Sequence, residues 1–161
     1  MRRILICLSF VFFHLSFSFA QQSINIVFIG NSITYGALHQ QRELTAPPAQ
    51  CARWLSQQEG IDTVYFKNCG RSGRTTYHFL PRVEDVIPAG DKTYFGDVVA
   101  SSKPGHVHIG DADAYAYFKH HYKTDVFEEK DARGRSYWLH PNEQGATRLA
   151  EFWGKAVLNL E

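Results

Sequence analysis

Two residues of this 161-residue chain, Ser32 and His140, combine reactive side chains with surroundings that suit chemistry. Ser32 ends the stretch Ile24-Asn25-Ile26-Val27-Phe28-Ile29-Gly30-Asn31-Ser32, in which an apolar, β-branched run gives way to a glycine and two polar side chains. The run reads as a buried strand, and Gly30 can take backbone angles other residues avoid. Ligands of open α/β sheets sit just outside the carboxyl ends of the strands. A serine there, with its own N–H pointing the same way, is able to act as nucleophile and as oxyanion donor. The same turn also works without chemistry, with Asn31 or Ser32 capping the next helix. What weighs for chemistry is the run His140-Pro141-Asn142-Glu143-Gln144-Gly145 near the far end.

A second turn of interest is Asn68-Cys69-Gly70-Arg71-Ser72-Gly73-Arg74, directly after a strand-like segment. Gly70 and Gly73 let backbone N–H groups approach a ligand closely, although many such turns are only turns. Arg71 and Arg74 flank the glycines and suit an anionic group, or else stand solvated in a loop. With Asn31 they form the candidate substrate-binding set. His106 and His108 alternate along a strand-like run, so both face one side, and with His120 and His121 they compose a possible metal set. Scattered histidines beside aromatic helices are more often surface or packing residues, so no metal is expected.

The elements that must position these residues follow from periodicity. Ala49 to Glu59 carries Cys51, Trp54 and Leu55 at helical spacing, with Gly60 as C-cap. Tyr35 to Pro48, polar and ending in Pro-Pro, reads as loop. Thr63 to Phe66 is the second strand, and strand-helix-strand implies a parallel crossover. Phe79 to Ile87 reads as a short helix broken by Pro81, and 88 to 105 has no clear assignment. His106 to Gly110 reads as a third strand, Ala112 to Tyr122 as a helix, and Lys123 to Ser136 as a charged loop. From Pro141 onward Leu149, Phe152, Trp153, Ala156, Val157 and Leu160 mark an amphipathic helix, with His140 in the loop leading in.

Composition supports one packed domain. The chain is 44% hydrophobic and 14% aromatic, with a formal net charge of +1 that favours neither nucleic acid nor an anionic membrane surface. Residues 1 to 20 read as a signal peptide: Arg2 and Arg3, an apolar segment from Ile4 to Phe19, then Ser18-Phe19-Ala20 as a cleavage site. The expectation is export to the periplasm or beyond, with residues 21 to 161 as a single domain lacking a membrane span. Cys51 and Cys69 remain after cleavage, able to pair in an oxidising compartment or to persist as buried thiols, the latter slightly preferred.

Taken together and in order, Gly30-Asn31-Ser32, Asn68-x-Gly70-x-x-Gly73 and His140-Pro141-Asn142 resemble the blocks of the SGNH/GDSL hydrolase superfamily. The resemblance spans the mature chain and implies a three-layer α/β/α fold on a parallel sheet (SGNH-hydrolase/flavodoxin-like). It implies ester hydrolysis with Ser32 as nucleophile, His140 as general base, and the N–H groups of Ser32 and Gly70 as oxyanion hole. No cofactor is implied. The substrate by this resemblance is a small acyl ester, an acetyl group on a carbohydrate being one form.

The chain departs from that pattern twice. The family's third block, strand then Gly-x-Asn-Asp, is missing: the asparagines are Asn25, Asn31, Asn68, Asn142 and Asn159. The stretch between Gly73 and His106 is also short, as though central strands and an internal segment had been lost near Ser101 to Pro104. The second departure is the acid, commonly an aspartate three residues before the histidine, where this chain has Tyr137. Asp111, Asp113, Asp125 and Asp131 lie near in sequence, and a backbone carbonyl near Trp138 is another means of orienting His140. The competing expectation is therefore a remnant or binding module that keeps the crevice without the catalysis.

Overall fold

A computed structural model describes residues 22–74 and 113–158. The expected signal peptide, the helix at Phe79 to Ile87, the strand at His106 to Gly110, and Asp111 lie outside the described residues. Within them the chain mixes helices and strands as a small α/β protein. In order come β1 (Gln22–Gly30), α1 (Ser32–Tyr35), α2 (Arg42–Thr45), α3 (Pro47–Leu55), β2 (Ile61–Gly70), α4 (Asp113–Asp125), β3 (Val126–Lys130), β4 (Ser136–Pro141) and α5 (Glu143–Leu158).

β1 and β2 pair in parallel, from Gln22 opposite Ile61 to Gly30 opposite Gly70. Both strands thus end on the same rung, and the Arg71 N–H donates to the Gly30 carbonyl at 2.9 Å just beyond it. The helices α3 and α5 pack on this pair. Phe28, Cys51, Leu55 and Ala150 form the buried centre, with Ile26, Trp54, Ile61, Val64, Trp153, Val157 and Leu158 around them. Phe28 stacks on Trp153 with ring centroids 5.6 Å apart. Sequestering this apolar surface from water is the main force holding the Ser32 strand under the C-terminal helix.

Two expectations about the first half change. The segment from Tyr35 to Pro48 is not all loop: it contains α2, and α3 opens on Pro47 and Pro48. Proline is tolerated there because a first-turn N–H has no intrahelical acceptor to lose. α3 ends at Leu55 with Ser56 as C-cap, so Gly60 does not close it. Gly60 instead takes φ +82 in the turn that feeds β2.

The larger correction concerns Lys123 to Ser136. This charged segment is not a loop: it finishes α4, forms β3, turns, and begins β4, an antiparallel hairpin. Its polar alternation hides the strands, since neither face reads as apolar. The turn is held by Asp131, whose Oδ1 accepts from the Arg133 N–H at 2.8 Å and the Arg135 N–H at 2.9 Å, with Gly134 at φ +74. The Arg135 backbone and side chain hold the Asp131 carboxyl below its ordinary value. His140 accordingly lies within β4, not in a loop.

Candidate active site

The turn after β1 presents Ser32 by packing rather than by unusual backbone angles. Gly30 is not among the described residues with positive φ. A Cβ on Gly30 would strike the Thr34 side chain, and one on Gly70 would strike the Tyr35 and Thr34 backbone. Two glycines on the last rung let α1 lie directly across both strand ends. Asn31 is its N-cap, its Oδ1 accepting from the Ile33 N–H at 3.0 Å, which leaves Ser32 as the first helical residue. No described residue accepts the Ser32 N–H.

His140 arrives from the opposite end of the chain. In the hairpin Val126 pairs with Pro141 and Glu128 with Trp138, so Phe127 alone faces both Leu139 and His140. This is the signature of a bulge, which re-aims side chains relative to the regular pleat. The residues after it are fixed by α5. Asn142 caps that helix through Gly145 N–H to Oδ1 at 3.0 Å, and its Nδ2 donates to the Thr124 carbonyl at 2.7 Å. Gly145 is required because a Cβ there would collide with the Asp125 carbonyl.

The outcome is a connected line of three side chains. Ser32 Oγ lies 2.8 Å from His140 Nε2, and His140 Nδ1 lies 2.9 Å from Glu129 Oε1. The His140 and Glu129 side chains are 12% and 13% exposed, little enough to keep bulk water from competing for these bonds. An ionised carboxylate only accepts, so Nδ1 carries the proton in the neutral ring and Nε2 accepts from the serine hydroxyl. Glu129 is itself held: Oε1 also accepts the His140 N–H at 3.3 Å, and Oε2 accepts from the Tyr137 hydroxyl at 3.2 Å. Burial and the Glu129 carboxylate both raise the Tyr137 pKa, keeping that hydroxyl a donor.

Glu129 is the residue that sequence reasoning missed. Asp125 is buried elsewhere, accepting from Tyr117 Oη and Thr124 Oγ1, each at 2.7 Å. Asp131 holds the hairpin turn, and for Asp113 only its place at the start of α4 is described. Nor does a carbonyl near Trp138 orient His140, since Glu129 occupies Nδ1. Tyr137 and Glu129 are directly opposite across the ladder. The aromatic residues Phe127, Tyr137 and Trp138 on either side of an Asp-x-x-Gly turn are the signal that would have revealed the hairpin.

The Gly70 N–H donates to Asn68 Oδ1 at 2.9 Å, while Asn68 Nδ2 reaches the Tyr35 carbonyl at 3.4 Å. Of the two expected oxyanion donors, Ser32 is therefore open among the described residues and Gly70 is engaged by its own turn. Arg71 is exposed and Arg74 half-buried, both just beyond the rung that carries Gly70. Cys51 is buried and Cys69 partly so, both as free thiols. His120 and His121 are exposed on α4, while His106 and His108 lie outside the described residues. No family model, curated protein or solved structure matches this chain.

Proposed function

We propose that this chain is an exported serine esterase of the SGNH/GDSL hydrolase kind, cleaving small acyl esters. The observation that carries the proposal is the line Ser32–His140–Glu129, in which a serine more than a hundred residues away in sequence meets the histidine and carboxylate of one hairpin at 2.8 and 2.9 Å. Ser32 Oγ attacks the ester carbonyl carbon as His140 Nε2 takes its proton. Glu129 stabilises the imidazolium that forms, and the Ser32 N–H meets the oxyanion. As the C–O bond breaks, Nε2 returns the proton to the leaving alcohol and the acyl group stays on Ser32. Water then attacks the acyl-serine, again giving its proton to Nε2, and the acid leaves as Ser32 regains its hydrogen. No cofactor enters these steps.

The substrate class proposed is an acetylated carbohydrate or a similarly small ester, with Asn31, Arg71 and Arg74 at the mouth. A three-layer arrangement is likewise proposed, with α3 and α5 as one outer layer. Removal of residues 1 to 20 on export completes the reading. The test is hydrolysis of a small aryl acetate by the protein and by Ser32→Ala. Turnover lost with Ser32 supports the esterase; equal rates, or none above buffer, refute it.

One observation favours a second reading, a module that binds in the crevice without turnover: the Gly70 N–H is already engaged by Asn68. An organophosphonate separates the two, because it modifies Ser32 only if the serine is activated.

A further inference from the structure

The one buried histidine among the described residues is His39, and its contacts lead back to the site. Its Nε2 lies 3.0 Å from the Pro141 carbonyl, and its Nδ1 lies 3.0 Å from Thr45 Oγ1. A carbonyl only accepts, so Nε2 carries the proton; burial lowers the His39 pKa and favours this neutral ring. The ring also meets Phe127 edge to face at 5.8 Å, the residue opposite the bulge.

Backbone bonds join His39 to the nucleophile. The His39 N–H donates to the Gly36 carbonyl at 3.2 Å, and the Gly36 and Ala37 N–H groups donate to the Ser32 carbonyl at 3.1 and 3.0 Å. On the other side Pro141 is covalently next to His140. The path Ser32, Gly36, His39, Pro141, His140 and back to Ser32 is therefore closed. Among the described residues, His39 to Pro141 is the one hydrogen bond, besides the Ser32–His140 pair itself, between the 31–45 segment and β4.

We propose that His39 is a positioning residue, whose Nε2–H bond to Pro141 fixes the distance between Ser32 Oγ and His140 Nε2. This rests on the reading of Ser32 as nucleophile. A misplacement of about 1 Å in such a pair costs on the order of 10² in rate.

Two isosteres test it. His39→Gln keeps an N–H donor near the Nε2 position, whereas His39→Asn reaches only the Nδ1 position and leaves Pro141 without a donor. The expected result is kcat within about threefold of the parent for H39Q and about 10–100-fold lower for H39N, with KM changed less than about threefold in both. Should H39N not fold, His39→Leu, which fills the space without a donor, replaces it. Equal kcat for the donor-keeping and donor-lacking variants, or losses that simply track thermal midpoint, overturns the proposal.

A second readout does not require turnover. The His140 Nδ1–H proton resonance is expected to persist in H39Q and to broaden by exchange in H39N. If the parent hydrolyses no ester, the proposed function fails while this comparison still decides the role of His39. An unchanged resonance in H39N refutes it.

Discussion

Replacing Glu129 by Gln removes one charge from the site and leaves its shape almost intact. The amide oxygen still accepts from His140 Nδ1 and from the His140 N–H, and the new NH2 can donate to the Tyr137 oxygen. The right tautomer of His140 is thus retained, and what is lost is attraction between carboxylate and imidazolium in the transition state. For charge centres about 4 Å apart at an effective dielectric of about 20, that attraction is about 4 kcal/mol. Both side chains are nearly buried, which limits screening by salt. The expected fall in kcat is therefore about 10³, at about 1.4 kcal/mol per decade. Glu129→Ala also frees the ring to turn, and should cost nearer 10⁴. Initial rates on an aryl acetate, with folding checked by circular dichroism, measure both. A Gln variant within about threefold of the parent would refute the assignment of Glu129 as the acid.

Other consequences are open to measurement. Gly70→Ala places a Cβ 2.7 Å from Tyr35 Cα, so α1 must move; we expect about 1–3 kcal/mol of destabilisation, read by thermal unfolding, together with lost turnover. His39 titrates lower in the folded state than its ordinary 6.5, so just below that pH the unfolded chain binds more protons. Its contribution is complete above 6.5 and falls as pH drops toward the depressed folded value, by at most about 1.4 kcal/mol per unit. Urea midpoints at neutral and mildly acid pH should converge less for the parent than for H39Q; identical slopes would contradict this. Burial pushes the Cys51 thiol up to about 12, so iodoacetamide should modify Cys69 well before Cys51 in the native protein. Peptide mass mapping reads that order.

What sequence revealed and what it hid have physical causes. β1 and α5 were legible because each buries one apolar pattern, Ile26 and Phe28 on the strand, Leu149, Trp153 and Val157 on the helix. Ser32 stood out through the Gly-Asn-Ser turn that ends its strand, and His140 through the Pro-Asn-x-x-Gly run that follows it. The hairpin from Val126 to Pro141 did not, because Glu128, Glu129 and Lys130 give no apolar face and Asp131 and Gly134 look like loop. Glu129 was hidden for a deeper reason. Its approach to His140 is made by cross-strand register and by the bulge at Phe127, neither of which leaves a spacing rule in the chain. Gly30 was legible as a glycine, but its reason is the closeness of Thr34 rather than positive φ. The engagement of Gly70 by Asn68 also depends on a side-chain rotamer that sequence does not specify.

Whether Ser32 is an activated nucleophile is read from the intact mass of the protein after exposure to a fluorophosphonate, followed by peptide mapping. A single adduct at Ser32, absent from Ser32→Ala and formed about 10³ or more slower in His140→Ala, is the predicted result. An adduct elsewhere, or labelling of Ser32 at the same rate without His140, would contradict an activated serine at this site.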